Sequence, residues 1–410
     1  MAMTESPATP DDTPGPLHDV LIAGGGLVGG ALALALAREG MRVALIDARP
    51  LAGTDARAYA LALASRRLLA NLGLWERVGK DAQPILAVRV ADGRPGERPS
   101  RLTLGFDHAE VGEGPMGHMV EDRHLRPALD AALAASAVER VQGAAVAQEA
   151  GSRAVTVTLA DGRRLGGRVL AGCDGRASGT ARRAGIGRTE RGYGQAAVTV
   201  AIRHERPHGG TAQQLFLPTG PLAVLPLRGH RSSIVWSTSE ARAATLMRMD
   251  EAGFLASLQT VLGSALGALA LDGPRAAHPL GLSLARSLVA PRVALAGDAA
   301  HAVHPVAGQG LNAGLRDVAA LAETLGEARA RGEDIGDAAV LGRYARWRRF
   351  DVATLAMATD GVTRLFSTDA GPVRLARDLG MGLVNRVPAL RRALIREAAG
   401  LTGDLPRLMR

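Results

Sequence analysis

At 410 residues with 47% hydrophobic and 22% charged residues, the chain reads as an ordinary soluble globular protein with room for two or three domains around a sizeable core. Its one cysteine, Cys173, excludes an internal disulfide and offers no partner for a metal site, as expected in a reducing cytoplasm. No apolar run approaches the roughly 18 residues of a spanning helix, and the net charge of +9 is uneven, with thirteen arginines against six acids from Arg343 to the end. That excess is either a surface for an anionic partner or, because Lys80 is the sole lysine and arginine reflects a coding bias, simply solvated helix faces. Nothing in the pattern points to nucleic acid.

Residues 1–16 carry four prolines among Thr, Ser, Asp and Glu and read as a disordered tail, not a secretory signal. Leu17–Ala23 is a strand, GGGLVG follows, Ala31–Glu39 is rich in helix formers, and a strand over Arg42–Ile46 ends at Asp47: a βαβ unit. A helix is predicted over Ala56–Leu72, then a Pro- and Gly-rich stretch from Pro84 to Met116, a helix near Arg123–Ala135, a hairpin over Ala154–Leu165 turning at Asp161-Gly162, and a strand at Arg168–Gly172. From Tyr193 to Ser239 four short alternating runs predict an antiparallel sheet of a second domain. A helix near Asp250–Leu262 precedes a buried strand, Arg292–Ala296, that returns to the first domain. The remainder reads as helical, with stretches at Asp337–Phe366 and Pro372–Asn385 and a last helix to Ala399.

Three places carry chemistry. Gly24-x-Gly26-x-x-Gly29 opens a helix directly after a strand: Gly24 for the tight turn, Gly26 for close approach of a pyrophosphate, Gly29 for helix–strand packing, with helix N–H groups facing the anion. Asp47 stands 23 residues after Gly24, where a carboxylate accepts from ribose hydroxyls. Asp174-Gly175 after a buried strand is, in isolation, an ordinary turn. Gly297-Asp298 closes another strand and is followed by His304, Pro305, Gly308, Gln309, Gly310, Leu311 and Asn312, a carboxylate and a row of backbone donors at a second place. One dinucleotide with two separated ends fits this better than two cofactors.

The order GGGLVG, Asp174-Gly175, GDAAH resembles the single-component FAD aromatic hydroxylases. HPVAGQGLNAGLRD, DARAYAL with NLGLW, YGQAAV, and the tail from TDGVTRLFS to NRVPALRRALIREAAG resemble more narrowly the UbiH/UbiF family of ubiquinone-biosynthesis hydroxylases, from about Val20 to Gly400. Tyr59 departs, standing where a smaller aliphatic residue is expected. The resemblance implies an α/β fold: a Rossmann-like FAD-binding domain (17–83, 118–185, 285–336), an inserted antiparallel β-sheet substrate domain (84–117, 186–284) and a C-terminal helical region (337–410). It implies that Gly24, Gly26, Leu27, Gly29 and Asp47 hold one end of FAD. Asp298 takes the ribityl chain, Pro305, Gly308, Gly310, Leu311 and Asn312 form the loop and helix start at the flavin's pyrimidine edge, and Arg57 and Arg123 lie near the pyrophosphate.

A helix N-terminus at that edge would stabilise the negative charge of the reduced ring. His301 and His304 are as well explained as loop histidines, so no general base is assigned. The reaction implied is hydroxylation of a prenylated phenol with O2 and NADPH or NADH through a flavin hydroperoxide, the nicotinamide binding transiently because there is one glycine fingerprint. Other ubiquinone-biosynthesis proteins and the membrane surface, met through the C-terminal region, are the implied partners, and the implied place is cytoplasmic, peripheral at the inner face of the membrane. Two competing readings keep the flavin arguments: a related hydroxylase of a soluble phenol or polyketide, and a non-catalytic FAD-binding scaffold.

Overall fold

The computed structural model describes residues 17–48, 57–93, 103–110, 112–302, 309–351 and 387–410. The chain opens with β1 (His18–Ala23), α1 (Leu27–Arg38) and β2 (Val43–Asp47). It continues through β3 (Ala58–Ala62), α2 (Leu63–Asn71), α3 (Trp75–Val78), β4 (Gln83–Ile85), β5 (Ala87–Asp92), β6 (Leu104–Asp107), β7 (Gly117–Glu121) and α4 (Asp122–Ala134). Next come β8 (Glu139–Gln142), β9 (Ala145–Ala150), β10 (Val155–Leu159), β11 (Arg164–Gly172), α5 (Gly179–Arg183), β12 (Arg188–His204), β13 (Thr211–Leu217), β14 (Gly220–Leu227) and β15 (Arg231–Ser239). The described chain closes with α6 (Glu240–Arg248), α7 (Glu251–Leu262), β16 (Leu269–Leu271), β17 (Ala276–Ala285), β18 (Val289–Ala290), β19 (Val293–Leu295), β20 (His301–Ala302), α8 (Gln309–Ala330), α9 (338–351) and α10 (Pro388–Ala398).

The first sheet runs β18-β19-β11-β1-β2-β8, with β1, β2, β8, β11 and β19 parallel neighbours. Its strands are buried on both faces, and alternation sorts them. Val20, Ile22, Val43, Leu45, Val169 and Ala171 join the core under α1 and α8, while Leu21, Ala23, Ala44, Ile46 and Leu170 join a second core against β9, β10 and α5. The second sheet runs β20-β17-β12-β15-β14-β13-β5-β6 and is antiparallel except where β5 pairs parallel with β13. One face, with Val198, Val200, Ile234, Trp236, Leu222 and Val224, packs on Phe254 and Leu258 of α7 and Leu246 of α6. The other face is left for a cavity. A small third sheet, β3-β7-β4, sits between them.

The predicted helix over Ala56–Leu72 is instead β3 followed by α2. Ala and Leu favour helix by propensity, but Ala58–Ala62 ladder antiparallel onto β7, and that pairing outweighs intrinsic preference. The tail is packed onto the rest of the chain. Among the described residues, α9 buries Tyr344 and Arg348, Ile395 of α10 packs beside Ala212 and Leu227, and Met409 enters the main core. Residues 1–16, 352–366 and 372–385, for which a tail and helices are expected, lie outside the described residues.

At the centre Asp317 of α8 is fully buried. Its Oδ2 accepts from the Gly297 backbone N–H at 2.9 Å and from His301 Nε2 at 2.6 Å, and its Oδ1 accepts from Arg348 Nε at 2.7 Å. Burial alone would raise the Asp317 pKa, but His301 and Arg348 outweigh it and hold the carboxyl below its ordinary value. A depressed folded pKa means the stabilisation is complete above the ordinary aspartate value of about 4 and is lost as pH falls through the folded value. Asp317→Ala leaves Arg348 buried without this partner, so urea denaturation should show a loss of about 3–5 kcal/mol. A loss below 1 kcal/mol would show that the network is incidental.

Candidate active site

Four parallel strands end on one side of the first sheet, and the residues at those ends line a single cavity of about 1300 Å³. Gly24–Leu27 come directly after β1, Asp47 and Ala48 end β2, Cys173–Gly175 come directly after β11, and Ala296 and Asp298 come after β19. This is the side on which open α/β sheets bind ligands. The opposite wall is the free face of the second sheet, including Thr199, Gln214, Ala223, Leu225, Ser233 and Val235.

The glycine turn is built for close approach. Gly24 has φ +103, and a Cβ there would lie 2.4 Å from the Cys173 carbonyl oxygen; a Cβ on Gly29 would lie 1.9 Å from that of Gly24. Gly26 is different: its Cβ would meet no atom within 4 Å, and the same holds for Gly310 at the start of α8. These two positions keep backbone bare where a ligand phosphate and ring can reach it. Asp47 sits beside them, its Oδ2 accepting from Gly25 N at 2.6 Å. The open glycines, the adjoining carboxylate and a volume above the roughly 300–1,000 Å³ of common ligand pockets fit a dinucleotide with a ring substrate beside it.

The two acids differ in what they touch. Asp174 is committed internally, accepting from Ser178 Oγ at 2.5 Å and from Thr180 N and Oγ1 at 2.9 Å each, so it shapes the turn into α5. The side chain of Asp298 is exposed at the cavity, while its carbonyl accepts from Arg188 Nη2 at 3.2 Å, which fastens the loop to β17 through Ser283. Gly310 and Leu311 line the cavity. Asn312 turns its side chain away, accepting from Ala62 N at 2.9 Å and donating to the Ala60 carbonyl at 2.8 Å, so it pins the start of α8 to β3. Pro305, Gly308 and His304 lie outside the described residues.

The two arginines separate. Arg57 lines the cavity; Arg123 does not, being more than half exposed and paired with Glu121 at 2.9 Å. Arg126, three residues on, lines the cavity instead. It grips the fully buried Asp122 through Nε at 3.0 Å and Nη2 at 3.1 Å, and Asp122 also accepts from Tyr59 Oη at 2.9 Å. Burial keeps the Tyr59 phenol far above its usual pKa, so it remains a donor. Sequence reasoning passed over Asp122 and Arg126, yet their i,i+4 spacing at a helix start is a readable pairing signal. Asp317 was likewise passed over; an acid among Leu315, Val318 and Leu321 was the clue. Cys173 is partly buried at the cavity wall, and desolvation with nearby Asp174 pushes its thiol pKa well up, which disfavours the reactive thiolate.

A cavity at the carboxyl ends of parallel strands, lined by a glycine turn and roofed by an antiparallel sheet, defines an FAD-dependent monooxygenase of the aromatic-hydroxylase type. Residues 18–358 match the FAD binding domain family. The chain belongs to the FAD-dependent hydroxylase family of ubiquinone biosynthesis, whose cofactor is FAD with NAD(P)H as reductant. It is 45% identical to the ubiquinone hydroxylase UbiL of Rhodospirillum rubrum over 96% of this chain and 92% of that one. It is 36% identical to the 3-demethoxyubiquinol 3-hydroxylase of Escherichia coli (93% and 98%) and 32% identical to the human mitochondrial ubiquinone biosynthesis monooxygenase COQ6 (92% and 92%). The p-nitrophenol 4-monooxygenase of Pseudomonas putida has the same fold, with a TM-score of 0.78 at 19% identity, covering 94% of this chain and 98% of that one.

Two alanine substitutions distinguish a ligand's space from the protein's own. Gly26→Ala, whose φ of −64 suits any residue, should leave the thermal stability of the apoprotein unchanged and weaken FAD binding about tenfold, read by fluorescence titration. Gly29→Ala should destabilise the apoprotein by about 1–3 kcal/mol through overpacking. Equal FAD affinity in Gly26→Ala and wild type would remove Gly26 from the phosphate site.

Proposed function

We propose that the protein hydroxylates the aromatic ring of a polyprenyl phenol in ubiquinone biosynthesis, with NADPH or NADH and O2. The observation that carries this reading is the two-walled cavity: dinucleotide-type glycine turns and acids on one side, and on the other a sheet face of small and apolar side chains with a few hydroxyl and amide groups. When bound, FAD supplies the oxygen-activating chemistry. The chain's own residues position and exclude. Asp47 would take ribose hydroxyls, Gly24–Leu27 the pyrophosphate with Arg57 and Arg126 near it, and Asp298 the ribityl chain. The N-terminus of α8 would meet the flavin ring, where its partial positive charge would favour negative charge on that ring. The sheet, built from 84–117 and 186–284, holds the phenol and keeps water out. No side chain is assigned as a general base.

The membrane belongs to the same reading, because a polyprenyl tail keeps the substrate in the bilayer. Among the described residues no helix is long and apolar enough to cross a membrane. Several tail arginines are committed to acids: Arg343 to Glu333, Arg348 to Asp317 and Asp351, Arg391 to Glu110 and Arg396 to Glu113. Among the described residues, docking falls to exposed Arg346 and Arg349, next to Phe350 at 76% exposure, and to Arg392, next to Leu390 and Leu394, which share one face of α10. Other ubiquinone-biosynthesis proteins are the further partners of this surface at the inner, cytoplasmic face.

Turnover is the direct test. The purified holoprotein should form hydroxylated product from a short-chain prenylated phenol with most NADPH consumption coupled, and should oxidise NADPH without stoichiometric product when given phenols lacking the prenyl chain. Efficient coupled hydroxylation of soluble phenols alone would turn the reading toward a soluble substrate, and no phenol-stimulated NADPH oxidation at all would leave a scaffold. Vesicle flotation addresses the membrane: binding to anionic vesicles should fall steeply between low and high salt and should vanish when Arg346, Arg349 and Arg392 are all changed to Ala. Salt-independent binding, or a triple variant that still floats, would overturn this docking face.

A further inference from the structure

The register of the second sheet places four cavity-lining residues side by side in one row. Thr199 of β12 pairs with Val235 of β15, Val235 with Ala223 of β14, and Ala223 with Gln214 of β13. The row is polar at its ends and small and apolar in its middle. With strands about 4.8 Å apart, the ends stand roughly 14 Å from each other, so a single aromatic ring fits over Ala223 and Val235 with its edges toward the two polar residues. The ends are not equivalent. The Thr199 hydroxyl already donates to the Ala276 carbonyl, at a long 3.5 Å. The Gln214 amide is half-buried and makes no hydrogen bond among the described residues.

A half-buried amide that reaches the cavity keeps its hydrogen-bonding groups open to whatever fills that cavity, and a residue that only had to cover the sheet could be apolar like Ala223 and Val235 beside it. Gln214 carries a donor and an acceptor on one planar group, so it can accept from a phenolic O–H and donate to the same or an adjacent ring oxygen. We propose that Gln214 is a specificity-determining residue: its amide holds the ring hydroxyl of the phenol lying on the Ala223–Val235 floor and so fixes which ring carbon faces the flavin. This rests on the function proposed above and goes further, because it assigns the ring-oxygen contact to one side chain. Prenyl-chain recognition is left to other parts of the cavity.

Gln214→Met keeps the length and removes both hydrogen-bonding groups; Gln214→Asn keeps the amide on a shorter stem. The holoproteins are compared with a short-chain prenylated phenol and its O-methyl ether, by flavin absorbance perturbation for affinity and by product per NADPH for coupling. FAD content and thermal midpoint, measured alongside, are expected to match wild type. Wild type should prefer the phenol over the ether about tenfold, Gln214→Met should lose that preference with coupling reduced at least threefold, and Gln214→Asn should lie between. A Gln214→Met protein that keeps both the preference and the coupling overturns the assignment. If wild type hydroxylates only soluble phenols, the function proposed above fails while Gln214 is judged by the same phenol-to-ether ratio on those substrates. If wild type turns over no phenol, both proposals fall.

Discussion

One buried carboxylate holds the cofactor half of this protein in register. Asp317 takes the backbone N–H of Gly297 just after β19, His301 of β20, and Arg348 of α9. The end of β19 with β20, the helix α8 and the helix α9 thus meet on two oxygens. An ion of this kind adds little net stability over an apolar replacement of equal shape, since desolvation consumes most of the Coulomb gain, but losing one partner is severe. Its value is positional. Gly297-Asp298 can present a carboxylate to the cavity because the turn beneath it is fixed from the side away from the ligand.

The second half works by alternation. Each strand of the antiparallel sheet sends every other residue into an ordinary core under α6 and α7 and the intervening residues toward the cavity. Val198, Val200, Ile234 and Trp236 therefore set the sheet's stability, and Thr199, Ser233 and Val235 are released from it to meet a substrate. A slip of one residue in any of these strands would exchange the two sets. An ionic tie joins the second and third sheets beside their apolar contact: Arg231 of β15 reaches Glu121 at the end of β7 with two bonds of 3.0 Å and Asp272 at 2.6 Å. Glu121 adjoins Asp122, so the tie lies one residue from the Tyr59–Asp122–Arg126 cluster facing the cavity.

Much of this was legible in the sequence, for definable reasons. The strand, the Gly24–Gly29 turn, the helix and Asp47 are local and succeed one another within a few residues, so spacing alone placed them. The alternating runs of the second sheet were readable because half-buried strands have a period of two. Partnership across the chain was not readable. Arg123 and Arg126 look alike in a helix, and only the fold shows that one meets Glu121 while the other faces the cavity. Ala58–Ala62 looked helical because nothing local announces its ladder with β7. Asn312 was expected to act through its backbone, and its side chain is found clamping β3, a contact across 250 residues.

The tail shows why formal charge is a weak guide to a surface. Arg343, Arg391 and Arg396 are held by acids on other elements, and Arg348 is only 2% exposed. Such pairs cancel locally and leave little field beyond a Debye length. What they do instead is strap α9 and α10 to the body of the protein, where Ile395 and Met409 add apolar contacts. Among the described tail residues, the exposed arginines outside such pairs are Arg346, Arg349 and Arg392, and on the docking proposed above each would contribute on the order of 1 kcal/mol close to a bilayer. On the docking proposed above, affinity of that size would be reversible, and the exposed Phe350, Leu390 and Leu394 would matter as much as charge. For the membrane-held substrate proposed above, contact of that size would be enough to raise the encounter rate and too little to trap the protein on one patch of lipid.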